Sequence, residues 1–140
     1  MLEQVIADGS ALKKLAEFVE AQGGDASAVY DTSKLPKASM VEAVNATESG
    51  YISKIACAEV GICSLILGGG RETKESEIDL SVGIVLTKKV GDKVEKGDTI
   101  AYIHANDRQK LETAKERFLK AYTFAAEKPI ESKMIKHIIH

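Results

Sequence analysis

Between Val90 and Ile103 the chain alternates short apolar pieces with glycines: Val90-Gly91-Asp92-Lys93-Val94-Glu95-Lys96-Gly97-Asp98-Thr99-Ile100-Ala101-Tyr102-Ile103. Glycine adopts positive φ without the steric cost other residues meet, so Gly91 and Gly97 predict tight reversals between short strands. A run interrupted this often cannot be a helix, and strands this short must find partners elsewhere in the chain. The rest of the sequence has to supply those partners.

Two candidates precede it. Met40 to Ala46 alternates in strand fashion, and Tyr51 to Ile55 follows a Ser49-Gly50 turn, so the two are expected to pair as a hairpin. Val82 to Leu86 is β-branched and is expected to be a buried strand. The other elements read as helical. Leu12, Leu15, Phe18 and Val19 recur at spacings of three and four, with Ser10 as expected N-cap and Gly23-Gly24 as stop. Leu2 to Ala7 could form a shorter helix before it, set off by Asp8-Gly9. Ala56 to Leu67 predicts a short buried helix ending at Gly68-Gly69-Gly70. From Asp107 to Glu127 the apolar positions Leu111, Ala114, Phe118, Ala121, Tyr122 and Ala125 predict a helix capped by Asn106 or Asp107 and ended by Pro129. The tail from Met134 to His140 is expected to add an edge strand or to fray. Helices and strands in this order predict an α+β fold. The Asp, Ser, Gly and Pro content between Gly24 and Lys37 predicts a connector, with a domain boundary near Lys37.

Charge narrows the function classes. A net charge of -2 with both signs interspersed supplies no basic stripe for phosphates, which argues against a nucleic-acid partner. No apolar run nears the roughly 18 residues a bilayer span requires, and the Met1-Leu2-Glu3-Gln4 start is acidic, so a cytoplasmic protein is expected. Cys57 and Cys63, six apart in an apolar stretch, read as buried free thiols rather than a disulfide.

Three places could carry chemistry. Gly68-Gly69-Gly70-Arg71 combines amides that could approach an anion with a guanidinium that could grip it. The phosphate-loop pattern, however, needs Lys and Ser or Thr after its last glycine and a helix beyond, whereas here Arg71-Glu72 follows and the helix comes first. A phosphate cradle, a mobile lid and a structural turn all remain open for these residues, the turn being the simplest. His104, His137 and His140 show no spacing that would bring them together, and His104 reads as structural, with no metal site expected. The mixed charges Arg71, Glu72, Lys74, Glu75, Glu77 and Asp79 could hold a substrate but read more simply as a solvated face. No complete catalytic constellation is present in the sequence.

Several blocks, in order, resemble the pyrimidine-nucleoside and thymidine phosphorylases: Ala21-Gln22-Gly23-Gly24-Asp25, Leu35-Pro36, Glu48-Ser49-Gly50-Tyr51-Ile52 and Leu67-Gly68-Gly69-Gly70-Arg71. Glu72-Thr73-Lys74-Glu75, Ile78 to Ile84, Lys89-Val90-Gly91-Asp92 and Ile103-His104-Ala105-Asn106 extend the likeness to the C-terminal domain of those enzymes. The resemblance implies an α+β hammerhead with barrel-sandwich-like strands, preceded by a helical segment and followed by a C-terminal helix. It implies that residues 1–36 belong to the preceding catalytic domain and residues 37–140 form the C-terminal domain. It also implies a parent enzyme, a homodimer, that converts a pyrimidine nucleoside and phosphate into free base and pentose 1-phosphate, with phosphate as co-substrate and no cofactor. The family's phosphate loop, its Gly-Gly-Thr motif and its pyrimidine-holding Arg and Lys are absent here, so this chain is expected to be inactive by itself, lacking the catalytic portion of the same polypeptide. Gly68, Gly69, Gly70 and Arg71 are then a loop that closes toward substrate.

Lys89 to Asp98 also resembles the start of a lipoyl or biotinyl carrier. Those carriers place the modified lysine in the next hairpin, where this chain has His104-Ala105-Asn106-Asp107. A stand-alone binding module on the same fold is the remaining alternative.

Overall fold

The computed structural model describes residues 1–71, 73–130, 135, 137 and 138, and the chain divides into two compact units, Met1–Pro36 and Lys37–His140. The first unit is helical: α1 (Leu2–Ala7), α2 (Ser10–Ala21) and a one-turn α3 (Ser27–Tyr30), then a 3-10 turn over Thr32–Lys34. The connector expected after Gly24 therefore holds two short turns of helix. Ser10 does not cap α2; Gly9 occupies the cap and the Ser10 N–H donates to Asp8 Oδ1 at 2.9 Å. Ala16 is the only large or small apolar side chain of this unit buried among the described residues, while Leu12, Leu15 and Phe18 stay exposed.

Among its described residues the second unit carries six strands in two antiparallel sheets. β1 (Met40–Asn45), β5 (Thr99–Ala105) and β3 (Gly83–Leu86) form one, in the order β1-β5-β3; β4 (Lys93–Val94), β2 (Gly50–Ile55) and β6 (Tyr122–Ala125) form the other, in the order β4-β2-β6. The expected hairpin between β1 and β2 does not form, because each finds its partner in the glycine-punctuated run instead. β1 pairs with β5 from Met40 opposite Ala105 to Asn45 opposite Thr99. The chain then leaves that sheet as a pair: Ala46 N–H donates to Asp98 O at 2.8 Å, Gly97 N–H to Ala46 O at 2.9 Å, and Lys96 N–H to Ser49 Oγ at 2.8 Å. Pairing resumes in the second sheet with Gly50 opposite Val94 and Tyr51 opposite Lys93. One continuous two-stranded ribbon thus folds through both sheets, with Gly91 and Gly97 at positive φ where it turns.

Two helices accompany them among the described residues, α4 (Cys57–Ser64) and α5 (Arg108–Ala121). Asp107 caps α5, its Oδ1 accepting the Lys110 N–H at 2.8 Å. The buried stripe Leu111, Ala114, Phe118 and Ala121 faces the same core as Val44, Ile52, Val94, Ile100 and Ile103. Burial of one such large side chain stabilises the fold by about 1.5–3 kcal/mol. Glu42 on β1 is held by Arg108 and, at 3.1 Å, by Lys115, which ties α5 to the first sheet.

Three further expectations give way here. The last helix stops at Ala121 rather than near Pro129, because Tyr122, Thr123 and Phe124 favour extended backbone and lie along the open edge of β2, Ile55 opposite Tyr122 and Ile52 opposite Phe124. β3 is an edge strand, half-buried, with Val85 exposed. In α4 only Cys63 is buried, since the helix lies on the surface against α5, and Cys57 at its first position is exposed rather than buried. Both thiols are free. The tail expectation from Met134 to His140, His140 included, falls largely on residues outside the described ones. Among the described residues no helix is long and apolar enough to cross a membrane.

Candidate functional site

The glycine segment follows α4 directly. A π turn over Leu65–Gly69 ends the helix, and Gly68 breaks it with φ 103° and ψ 5°, a left-handed conformation that β-carbon crowding disfavours in other residues. Gly69 is packed as well as turned: a β-carbon there would sit 2.8 Å from Ser64 Oγ and 3.1 Å from Ser64 O. These amides lie at the C-terminal end of a helix, where the dipole disfavours an anion, so the local geometry gives no phosphate cradle. Arg71 leaves this turn exposed, and among the described residues no carboxylate pairs with it.

Beyond Arg71 the chain makes an exposed excursion through Thr73, Lys74, Glu75 and Glu77, with Ser76 N–H donating to Thr73 O at 3.2 Å; Glu72 lies outside the described residues. The excursion closes on itself. Asp79 N–H donates to Gly68 O at 2.9 Å, so residues 68 and 79 meet at the base of a loop. Asp79 Oδ1 accepts the Ser81 N–H at 2.9 Å and its hydroxyl at 2.6 Å. Asp79 Oδ2 accepts from Asn106 Nδ2 at 2.7 Å, and the same Nδ2 reaches Ser81 Oγ at 2.8 Å. Asn106 Oδ1 in turn accepts the Ser39 N–H at 2.7 Å. The Ser81 hydroxyl and amide, with Asn106, hold the Asp79 carboxyl below its ordinary range.

Of the residues singled out in the sequence, Gly68 to Arg71 and Asp79 are thus brought to one loop, and Asp79 serves its base. Asn106, read as a possible helix cap, belongs to that base instead. Asp79-Leu80-Ser81 could have been anticipated as a local turn, since in Asp25-Ala26-Ser27 and Asp31-Thr32-Ser33 the Ser N–H likewise donates to the Asp carboxylate. Nothing local marked its partner. His104 stands apart, on β5 opposite Val41 and Gly83. Among the described residues no group of three or more His, Cys, Asp or Glu side chains could hold a metal ion.

Two cavities of the second unit lie elsewhere. One of about 480 Å³ is lined by Ser53, Lys54, Ile55, Val90, Gly91 and Pro129. Another, of about 330 Å³, lies between α4 and α5 beside the Arg117–Glu59 ion pair at 2.7 Å. The second is lined by Glu59, Glu116, Arg117 and Lys120, of which Glu59 and Arg117 are tied in that ion pair.

Comparison with known proteins assigns the fold to a family. The model of the pyrimidine nucleoside phosphorylase C-terminal domain matches residues 51–125. The pyrimidine-nucleoside phosphorylase of Bacillus subtilis (strain 168) is 52% identical over 105 residues, covering 75% of this chain and 24% of the relative. That of Geobacillus stearothermophilus is 50% identical over 117 residues, 84% of this chain and 27% of the relative. That of Staphylococcus aureus (strain USA300) is 40% identical over 125 residues, 89% and 29% respectively. The chain spans about a quarter of the length of these relatives. The carrier alternative finds no support: the turn after β5, where a carrier would present its lysine, is Asn106-Asp107, and both side chains are engaged there, one in the loop base and one in the α5 cap. With residues 51–125 making up more than half of its length, the chain belongs to the pyrimidine nucleoside phosphorylase C-terminal domain family.

Proposed function

We propose that this chain is the C-terminal portion of a pyrimidine-nucleoside phosphorylase and that it contributes the closing wall of the active-site cleft. The whole protein would exchange the base of a pyrimidine nucleoside for phosphate, yielding free base and pentose 1-phosphate. The observation that carries this reading is the family match over residues 51–125, which contains the glycine loop, joined to relatives of one printed activity. Residues 1–36 belong on this reading to the catalytic portion that precedes them in the same polypeptide, and residues 37–140 form the C-terminal domain. The apolar side chains that α2 leaves exposed support that assignment, since a stripe of this kind calls for a surface to cover it. The finer architecture is a hammerhead with barrel-sandwich-like strands, supported by the ribbon that folds through both sheets.

The chemistry assigned to this portion is positional. Closure of Gly68, Gly69, Gly70 and Arg71 over bound nucleoside and phosphate excludes water and fixes the reacting atoms, while the groups that bind phosphate lie in the preceding portion. Phosphate is a co-substrate, and the reaction needs no cofactor. A cytoplasmic homodimer is the corresponding state of the parent.

The test is phosphorolysis by a full-length chain carrying this segment. With uridine or thymidine we expect base release that depends on phosphate, and Arg71→Ala should lower kcat/KM by about tenfold or more, the loss expected when one positioning cation is removed. Phosphate-independent release, or an Arg71→Ala enzyme as active as its parent, would refute the reading.

A further inference from the structure

The geometry points to Asn106 as the positioning residue of the glycine loop. Its single carboxamide bonds two segments distant from it in sequence: the Ser39 amide through Oδ1, and the Asp79–Ser81 turn, by carboxylate and hydroxyl, through Nδ2. Ser39 is the third residue of the second unit, which begins at Lys37, and Asp79 closes the loop that Gly68 begins. Asn106 itself sits between β5, which ends at Ala105, and the Asp107 cap of α5. It is itself exposed but projects from the junction of a strand and a helix that are anchored on either side by the buried Ala105 and Leu111. A loop that must meet substrate needs its base held while its tip moves, and a carboxamide fixed by strand and helix provides such a support.

The side-chain chemistry at this point is specific. Asp79 offers two acceptors, and both are used, one by Ser81 and one by Asn106. Asn106 must both donate and accept: Ser39 presents a donor to it and Asp79 an acceptor. An aspartate at 106 would keep the bond from Ser39 but set two carboxylates together. An asparagine at 79 would leave a donor facing a donor in either orientation of its amide. The exchanged pair, Asp79→Asn with Asn106→Asp, restores the bond between positions 79 and 106 with donor and acceptor reversed and keeps the acceptors for the Ser39 and Ser81 amides, while the single proton of the Ser81 hydroxyl then serves one of the two side chains instead of bridging both. The charge of Lys110 also bears on the Asp79 carboxyl, and Lys110 is unchanged in all these variants.

Amide hydrogen exchange of the 140-residue chain tests the assignment directly. In Asn106→Asp and in Asp79→Asn, the Asp79 and Ser81 amides should exchange about tenfold faster or more, the effect expected when a buttressing hydrogen bond is lost. Ser39 should stay protected in Asn106→Asp and become fast in Asn106→Ala. The α5 amides from Leu111 to Phe118 should keep their protection in every variant. The exchanged pair should bring the amides of residues 79 and 81 back to within about threefold of the unaltered chain, because the bond between positions 79 and 106 and the acceptors for the Ser39 and Ser81 amides are made again. Acceleration spread equally over α5, or no recovery in the exchanged pair, would overturn the assignment.

The role in turnover rests on the closing-loop reading above and is read separately, in the full-length protein. Each single change should lower kcat more than it raises KM, and the exchanged pair should recover most of the loss. If the exchange results hold but kcat stays unaltered in the single variants, Asn106 does not position the loop for reaction and the proposal fails, while phosphorolysis itself stands. If the unaltered full-length protein carries out no phosphorolysis, the closing-loop reading is what fails.

Discussion

Residues 1–36 and residues 37–140 both present regular apolar spacing, yet they bury it to very different degrees. In the second unit Val44, Ile52, Ile100, Ile103, Leu111 and Phe118 are fully enclosed by two sheets and two helices. In the first, Phe18 is 62% exposed and Leu12 and Leu15 are close to half exposed, with a cavity of about 540 Å³ lined by Leu15, Val19, Ala28, Val29 and Leu35. Periodicity states that a face is apolar; the amount of surrounding chain decides whether the face can be covered. Thirty-six residues fall below the length at which a core ordinarily sustains itself, and a 12-residue helix is marginal in water without packing.

Separating the two units should give the largest effect. A peptide of residues 1–36 should lose most of its helix by circular dichroism, whereas residues 37–140 alone should melt cooperatively. A cooperative transition in the short peptide would erase the contrast. Next in size is the pair of phenylalanines. Phe118→Ala should cost about 3–5 kcal/mol in urea unfolding of the second unit, and Phe18→Ala should stay within about 0.5 kcal/mol. Equal costs would mean that the first unit has a core of its own.

Tyr122 sharpens the contrast by pH. It is 6% exposed, and burial pushes its phenol from 10.0 up to about 12. Above pH 10 the unfolded chain gives up this proton while the folded chain keeps it, so the stabilisation is complete below pH 10 and is lost as pH rises toward 12. Each pH unit in that window removes at most about 1.4 kcal/mol. Denaturant midpoints at pH 9, 10.5 and 11.5 should therefore fall steadily, and Tyr122→Phe should flatten the decline.

The smallest effects are expected at two glycines of positive φ. Gly68→Ala should destabilise the second unit by about 1–2 kcal/mol through backbone crowding. Gly23→Ala meets the same backbone preference at φ 78° with open space around it, and should change only helix content near the end of α2. A shift of the main unfolding midpoint by Gly23→Ala would link stabilities that the account keeps apart.

What the sequence disclosed follows the range of the interactions. α2, the start of α5, β1, β2 and the reversals at Gly91 and Gly97 rest on neighbours within a few residues, and all were legible. The partners of β1 and β2 were not, because Asn45 meets Thr99 and Gly50 meets Val94 across more than forty residues. The change from helix to strand at Tyr122 escaped the spacing rule for the same reason: the open edge of β2 decides it, and helical periodicity in Tyr122 and Ala125 is silent about that edge. At the candidate site the glycines and Arg71 stood out by composition. Asn106 did not, since its bonds to Ser39, Asp79 and Ser81 span 25 to 67 positions.

The central claim is that this chain supplies a closing surface and leaves phosphate capture to the portion preceding it. Isothermal titration of the 140-residue chain with phosphate, uridine and both together addresses it most directly. The account requires no saturable heat from any of the three; stoichiometric uptake of phosphate and nucleoside by the chain alone would contradict it.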